Sequence, residues 1–446
     1  MAKIVFVGGG SYAWMPSILG RLFKTSTFQN DSIALMDTDS EAVETIYQLA
    51  LALKKHHKSG IPITRTTKLD EALTGADYVS LTISTGGLDA MQVDLDVSEK
   101  HGVFHTVGDT VGPGGFSRAL RNVPVMLDLA KRMERLCPHA WLLNLSNPLS
   151  SLTRAVTRET KIKAAGLCQG VVEHVDYLCE LLGEPTGPDV QFTTAGIDHC
   201  PWLLELKIRG RDGIEMLRER GLCSAALDGK AVVPSRDSHL NIHVGTRAGF
   251  ALWSEIGYLP GIGDRHMVEN FQHFIMDRAV MEQYGIVRTT IADRKRGREN
   301  AKKFARELTS APEKLRIPET HAPVIQLIDA LEGRKDCLTT LNVENEGQIP
   351  ELPTRTNVET RCYIDRLGVH PLPIGRPLPK ALEAVVRPHI LRQEGSIDAA
   401  ITGDFDAAVG YLATDPLVKS ISTARSMLRE MIERNREWLP QFSHVK

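Results

Sequence analysis

Apolar runs of strand length alternate with amphipathic segments of helical length through the first half of the chain. Residues 3–7, KIVFV, are a β-branched and apolar run that stops at three glycines, and a helix-like segment follows. The rhythm recurs in EALTGADYVSLTISTGG (71–87), VPVMLDLAKRMERLCP (123–138), AWLLNLSNP (140–148) and KIKAAGLCQG (161–170). Strands that alternate with helices predict an α/β fold with a doubly wound, Rossmann-type parallel sheet.

The later chain has a different pattern. FTTAGIDHCPWLLELKIRG (192–210) is typical of strand, turn and strand, and residues 266–310 and 420–438 are predicted to be helical. We therefore expect two domains, an NAD-binding Rossmann-type domain over 1–193 and a mixed α+β domain over 194–446 for substrate binding and oligomerisation.

The first glycine turn has the spacing of a dinucleotide-binding loop. Gly8, Gly10 and Ala13 fit G-x-G-x-x-G/A, and Ser11 is placed to cap the helix that follows. The next strand ends in Asp37, whose carboxylate could accept both ribose hydroxyls of NAD and would repel the extra phosphate of NADP. The glycines alone are weak evidence, because a strand–helix turn has the same composition.

Polar residues also stand where other strands are predicted to end. Ser84, Asn147 and Cys168 occupy such positions, at the same sheet edge as Gly10 and Asp37. Ligands of open α/β sheets bind beyond the carboxyl ends of the strands. We therefore expect these residues to surround one binding site.

Cys168 and His199 are candidate ligands of a metal. A lone cysteine is more often a small buried apolar residue, and a lone histidine is more often structural. Together they suit a borderline-soft divalent cation with coordination positions left open for substrate and water. A nucleophilic role for Cys168 would need an adjacent base, which Gln169 is not.

Composition excludes several classes of function. The 446 residues carry a net charge of -2, so no nucleic-acid-binding surface is indicated. The basic run RKRGRENAKKFAREL (294–308) has glutamates at helical spacings and is expected to be a solvated helix face. No apolar stretch reaches membrane-spanning length, and no signal peptide is expected. Seven scattered cysteines without a CxxC pair favour a reducing cytoplasm.

Eight segments taken together resemble glycoside hydrolase family 4, the NAD-dependent glycosidases that are related in fold to lactate and malate dehydrogenases. The segments are VGGGS (7–11), SLTISTGGLDAMQVD (80–94), VGDTVGPGGFSRALRNVP (107–124), NLSNPLS (144–150), GLCQGV (166–171), AGIDHCPW (195–202), GDRHMVENF (263–271) and NVENEGQIPELP (342–353). The GDTVGPGG and GDRH segments are most similar to the α-galactosidase and α-galacturonidase branch. GGLDAMQ lacks the arginine by which relatives bind 6-phospho-sugars, so an unphosphorylated hexoside or hexuronide is expected.

The resemblance implies an unusual route, which differs from two-carboxylate glycosidases. Hydride passes from sugar C3 to NAD, a base removes the C2 proton, and a divalent metal, usually Mn²⁺, stabilises the enediolate. The leaving group departs from C1, water adds, and the hydride returns. The family usually forms homodimers or homotetramers.

The resemblance also assigns residues to roles. By position, the metal ligands are Cys168 and His199, the cofactor site contains Gly8, Gly10, Ser11, Asp37 and Ser84, and the substrate site contains Asn147, Arg118 and Arg265. The candidate catalytic residues are Tyr258, Gln169, Asp264 and His266.

Two departures from the family leave its chemistry open in this chain. Gln169 stands where many relatives have Asp or His, which can serve as the acid for the leaving group, and Asp198 stands where they tend to have Asn. Either Glu173 or His174 supplies the missing acid, or the leaving group needs little help. The alternatives are a sugar or hydroxy-acid dehydrogenase, which would accumulate NADH, and a degraded sensor that binds NAD and sugar without turnover.

Overall fold

The computed structural model describes residues 1–221, 224, 245–317 and 323–445. Within these ranges the strands β1 to β13 span, in chain order, Lys3–Val7, Ser32–Met36, Ile63–Thr66, Tyr78–Leu81, Trp141–Asn144, Lys163–Gly166, Val190–Ile197, Cys200–Ile208, Arg211–Asp212, Leu259–Pro260, Cys337–Glu344, Asn357–Asp365 and Gly368–Pro371. The helices α1 to α17 span Met15–Lys24, Ser40–His56, Leu69–Leu73, Gly87–Lys100, Gly112–Leu136, Leu149–Glu159, Gly170–Leu182, Gly213–Glu219, Arg247–Ile256, Asp264–Met267, Gln272–Ile275, Arg278–Gln283, Ile291–Ser310, Pro323–Leu331, Lys380–Thr402, Phe405–Ala413 and Ile421–Arg434.

The first six strands form a parallel sheet in the order β3-β2-β1-β4-β5-β6. This is the strand order of doubly wound dinucleotide-binding folds. The prediction of a Rossmann-type sheet is therefore confirmed. The order reverses between β1 and β4, so the crevice in which such folds bind their ligands opens at the ends of these two strands.

Helices cover both faces of the parallel sheet. Along β1, Ile4 and Phe6 point into one hydrophobic cluster with α1, α2 and α14, whereas Val5 and Val7 point into another with α5, α16 and α17. A strand that is buried on both faces needs apolar residues at consecutive positions. This explains why β1 reads as an unbroken apolar run in the sequence.

The antiparallel strands of the second half continue the same sheet. β11 pairs with β6, β12 pairs with β11 and β7, and β8 pairs with β7 and β10. Residues 337–365 are thus inserted between β6 and β7, which are consecutive in the chain. The mixed α+β character predicted for the second half is confirmed, and the boundary predicted at 193/194 falls inside β7 and stays a prediction.

No helix within the described ranges is both long and apolar enough to cross a membrane. The predicted helix over 420–438 is present as α17 and a short 3-10 turn that follows it. Residues 266–310 are instead divided among several short helices and the long α13, which begins at Ile291.

Candidate functional site

The glycine loop after β1 lies directly against the ends of the neighbouring strands. The amides of Gly8 and Gly9 donate to the carbonyl of Met36, at 2.9 and 2.8 Å. Gly8 has a φ of 88°, and a Cβ atom there would lie 2.1 Å from the carbonyl oxygen of Thr82. No side chain fits at Gly8, so a glycine is required for this close approach.

Asp37, the residue directly after β2, is hydrogen-bonded to this loop. Its Oδ2 accepts a hydrogen bond from the amide of Gly10 at 2.9 Å, and its Oδ1 accepts one from the amide of Asp39 at 3.0 Å. Asp39 in turn caps α2 by accepting from the amides of Glu41 and Ala42. Asp37 therefore sets the shape of the loop in addition to facing the cavity.

The expectation that Ser11 caps the first helix is wrong. Helix α1 begins at Met15, and its N-cap is Trp14, which makes no capping side-chain bond. A turn occupies the residues between, in which Ser11 Oγ accepts from the amide of Trp14 at 3.4 Å. The turn leaves Ser11 at the wall of a cavity, where a ligand could reach it.

Two cavities meet at the carboxyl ends of the parallel strands. One, of about 430 Å³, is lined by the glycine loop, Asp37 and Asp39. The other, of about 460 Å³, is lined by the ends of β4, β5 and β6. They share the lining residues Ser11, Ala13, Thr82, Leu88 and Arg294, so they form one continuous groove. A nucleotide and a second ligand could therefore lie side by side.

The structure brings the two predicted metal ligands together. Cys168 follows β6, and Asp198 and His199 form the two-residue turn between β7 and β8. One ligand atom from each of these three residues lies within 4.8 Å of the others. His199 has a φ of 63°, a left-handed backbone that is uncommon for a residue with a side chain and that aims its imidazole at the cluster.

A second set of ligand atoms faces the opposite side of the same imidazole. Asp109 and His266 each offer an atom within 4.8 Å of each other and of His199. Nδ1 of His199 lies 3.9 Å from Oδ1 of Asp109, whereas Nε2 lies 3.7 Å from Oδ2 of Asp198. The rings of His199 and His266 stack with centroids 3.6 Å apart. His199 therefore belongs to both sets of ligand atoms, one with Cys168 and Asp198 and the other with Asp109 and His266.

Buried like charges shape the electrostatics of this cluster. Burial, and then the negative charges of Asp198 and Glu359, raise the pKa of the Cys168 thiol well above its usual value. Burial also raises the pKa of Asp198, and burial followed by the charge of Asp198 raises that of Glu359. A bound cation would lower the pKa of each of these groups, because it favours their ionised forms.

Asp109 is shifted in the opposite direction. Its burial alone would raise its pKa, but His199, Arg118 and Arg294 together lower it. Asp109 is therefore ionised at neutral pH and presents a full negative charge to the cavity. It was not predicted from the sequence, although it lies in the GDTVGPGG segment, and an acidic residue before a glycine-rich helix start was the available signal.

Asn147 and Arg118 form one wall of the larger cavity. The backbone carbonyl of Asn147 accepts from Arg118 Nε at 3.0 Å and from Asn122 Nδ2 at 2.9 Å. Within the described chain no residue hydrogen-bonds to the two Nη atoms of Arg118. Ser84, which was predicted to stand at a strand end, lines the same cavity, and so does the candidate catalytic residue Gln169.

Several predicted site residues are not brought to the cavity. Tyr258 packs beside an apolar cluster of the second half. Asp264 accepts from the amides of Ala248 and Gly249 and so holds the start of α9, and Arg265 donates to Thr289. Of the GDRH segment, only His266 lines the cavity. Adjacency in sequence did not reveal which side chains of this turn face inward.

The basic run over 294–308 is more than a solvated helix face. Helix α13 begins at a capping box formed by Thr290 and Asp293, and its first turns border the nucleotide-side cavity. Arg294 lines both cavities and donates to the carbonyl of Val107 at 2.9 Å. The expectation of a wholly solvated helix face is corrected on this point: α13 places the positive charge of Arg294 and Arg298 at the cavity wall.

Family models match almost the whole chain. The model of the family 4 glycosyl hydrolases matches residues 3–184, and that of the family 4 glycosyl hydrolase C-terminal domain matches residues 194–418. The chain belongs to family 4 of the glycosyl hydrolases and is a glycosidase, as its sequence motifs predicted.

Relatives of known name agree with this assignment. An α-galacturonidase of Bacillus subtilis is 31% identical, over 97% of this chain and 97% of that protein. An α-galactosidase of the same organism is 30% identical, over 99% of this chain and 100% of that protein. Both belong to the branch that the GDTVGPGG and GDRH segments indicated.

Solved structures show the same fold. The Bacillus subtilis protein lplD, described as a glucosidase, has a TM-score of 0.87 at 30% identity, covering 97% of this chain and 99% of that chain. A 6-phospho-α-glucosidase from gut microorganisms, in complex with NAD and Mn²⁺, has a TM-score of 0.82 at 21% identity over 98% and 99%. Malate dehydrogenase of Plasmodium falciparum has a TM-score of 0.53 at 14% identity over 90% and 99%, which confirms the predicted dehydrogenase-like fold.

Proposed function

We propose that this chain is an NAD- and Mn²⁺-dependent glycosidase that hydrolyses unphosphorylated α-galacturonides by transient oxidation at C3 and elimination at C1. One observation carries the proposal. A half-buried thiol, together with a buried imidazole and a buried carboxylate, opens on the same groove as a glycine loop of dinucleotide-binding spacing. A glycosidase that uses two carboxylates would need neither feature.

The residues fit NAD in the smaller cavity. Gly8 and Gly10 line this cavity with backbone that a diphosphate could approach, Asp37 would face the ribose, and Arg294 supplies positive charge between the two cavities. NAD would supply a hydride acceptor for the sugar. A homologous fold crystallised with NAD and Mn²⁺ supports this choice of cofactor.

The residues also fit a borderline-soft divalent metal. The carboxylate of Asp198 is fully buried, and no described N–H or O–H group donates to either of its oxygens. Cys168, Asp198 and His199 would hold the ion, which would polarise the oxygens of the sugar as a Lewis acid. Asp109 and His266 lie close enough to complete or flank this set.

Proton transfer requires a group that lines the cavity. Among the four predicted catalytic residues, Gln169 and His266 do so, and an amide cannot exchange a proton at neutral pH. His266 is therefore the proposed acid–base residue. The predicted roles of Tyr258 and Asp264 have no support from their positions.

One arginine on the cavity wall indicates the substrate class. The two Nη atoms of Arg118 form a fork that matches a carboxylate in geometry and charge. Leu88 and Met91, which line the cavity after the glycine turn of β4, offer nothing to a sugar phosphate. A uronate carboxylate at C6 therefore fits better than a neutral or a phosphorylated hexose, and the α-galacturonidase relatives support this choice.

The proposal is tested with aryl α-galacturonide and aryl α-galactoside, assayed with NAD and Mn²⁺ in deuterated water. We expect release of the phenol, deuterium at C2 of the sugar and no net NADH. NADH accumulation without cleavage would establish the dehydrogenase alternative instead. Binding of NAD and sugar without C2 exchange would establish the sensor.

Arg118→Gln tests the substrate class in the same assay. Loss of charge-assisted bonds to a carboxylate should lower kcat/KM for the galacturonide by roughly 10- to 100-fold. The galactoside, which lacks the carboxylate, should be affected by less than about threefold. Equal losses on both substrates would remove Arg118 from carboxylate recognition.

A homodimeric or homotetrameric state and a cytoplasmic location remain predictions.

A further inference from the structure

Glu269 is a fully buried carboxylate that binds backbone amides rather than a cation. It lies in the 3-10 turn that follows α10, three residues after His266, and is 1% exposed. Its Oε1 accepts from three consecutive amides, those of Thr106, Val107 and Gly108, at 2.8, 2.8 and 2.9 Å. Successive amides that converge on one oxygen are an anion-binding arrangement, and here the anion is a side chain.

His105 extends this contact to the start of α5. Its Nε2 accepts from the amide of Gly114 at 3.2 Å, so the ring proton resides on Nδ1. Nδ1 lies 3.1 Å from Oε1 of Glu269 and donates to it. A Cβ atom at Gly112 would lie 2.8 Å from the ring, so the imidazole fits closely under the glycine-rich helix start.

The segment that Glu269 holds ends at Asp109, whose carboxylate faces the metal cluster. The same segment is tied to the second half at other points: Thr289 N donates to the Thr106 carbonyl at 2.8 Å, and Arg288 Nε donates to the His105 carbonyl at 3.2 Å. The Glu269 contact is distinct because one carboxylate oxygen receives all of these donors and because Glu269 lies directly after the helix that carries His266. Glu269 therefore links the segment before Asp109 to His266, two cluster groups that come from opposite halves of the chain.

We propose that Glu269, acting through His105 and the amides of residues 106–108, is a positioning residue that presents Asp109 to the metal beside His266. This inference rests on the proposed function, because it assumes that the cluster binds a divalent ion. Residues that orient metal ligands typically change metal affinity by roughly 10- to 100-fold when they are replaced.

Glu269→Gln tests the proposal, because it keeps the size of the side chain and removes its charge. Mn²⁺ affinity is measured on the full-length protein by the electron paramagnetic resonance signal of free Mn²⁺, and NAD affinity is measured by calorimetry. We expect Mn²⁺ to bind roughly 10-fold more weakly, with NAD affinity within about threefold of wild type. Exposed Glu433→Gln is the matched control and should change neither.

A double-mutant comparison separates positioning from general destabilisation. If Glu269 acts through Asp109, adding Glu269→Gln to Asp109→Asn should not weaken Mn²⁺ binding further. Additive losses, unchanged Mn²⁺ affinity, or a parallel loss of NAD affinity would each overturn the inference. If Glu269→Gln does not fold, His105→Asn decides by the same criteria. Absence of Mn²⁺ binding by the wild-type chain would instead refute the proposed function.

Discussion

The protonation of Cys168 should control how tightly the chain binds Mn²⁺. Burial, followed by the charges of Asp198 and Glu359, raises the pKa of this thiol well above its usual value. The metal-free thiol is therefore protonated throughout the neutral range, and a metal must displace its proton to bind the thiolate. Affinity should consequently rise with pH, whereas a site that binds only through a neutral imidazole already free of its proton would show no such dependence.

The size of this change in Mn²⁺ affinity with pH follows from proton linkage. One proton displaced per metal changes the apparent association constant tenfold per pH unit, which is about 1.4 kcal/mol. Between pH 6 and pH 8 the Mn²⁺ affinity should therefore increase by about 100-fold. The slope should steepen at the acidic end, because the pKa of Asp198 is also raised and its proton must be displaced there as well.

The assay is titration with Mn²⁺ at several pH values with NAD present at saturation. Cys168→Ser should bind Mn²⁺ more weakly and lose the tenfold dependence, since a serine hydroxyl does not ionise in this range. Cys179→Ser is the control, because Cys179 is a buried thiol on α7 that lies outside the cavity. A wild-type affinity that is flat with pH, or a slope that persists in Cys168→Ser, would refute the thiolate as a ligand.

Two further predictions concern the cofactor loop and the buried acids. Asp37→Ala leaves the amides of Gly10 and Asp39 without their acceptors and should weaken NAD binding by roughly 10- to 100-fold in calorimetry; an effect below twofold would contradict its role. Glu359→Gln removes a carboxyl whose pKa is raised by burial and by Asp198. The folded wild type retains a proton that the unfolded chain releases, so its stability falls as pH rises above the ordinary glutamate range. In EDTA, the unfolding temperature of Glu359→Gln should therefore exceed that of wild type at pH 8, and the difference should shrink toward pH 4. A difference that is constant with pH would contradict this reasoning.

Local sequence patterns predicted the parts of the site that depend on local structure. The glycine loop, Asp37, Asn147 and Cys168 each follow a strand whose apolar run is visible in the sequence. Parallel strands bring their carboxyl ends to one edge, so the positions of such residues along the chain translate directly into proximity. The spacing of motifs was sufficient here because no long-range pairing had to be known.

Long-range packing determined what the sequence did not reveal. Arg294 belongs to a helix whose periodicity shows which residues share a face but not which surface that face meets. Glu359 is on β12, and it approaches Asp198 only because β12 pairs with β7. Tyr258 lies six residues before Asp264 in the chain, yet its side chain packs with an apolar cluster, because a turn can aim neighbouring residues in different directions.

The proposed metal site draws its ligands from both predicted halves of the chain. Cys168 comes from residues 1–193, whereas Asp198 and His199 come from residues 194–446. Separation at this boundary would also cut β7 and leave β6 without its partner β11, which would expose unpaired strand edges. The two halves therefore need each other for both the sheet and the cluster, and a bound metal would join them by coordination. Because Mn²⁺ must displace the proton of Cys168, and at lower pH that of Asp198, it should stabilise the fold most at the pH values at which it binds most tightly.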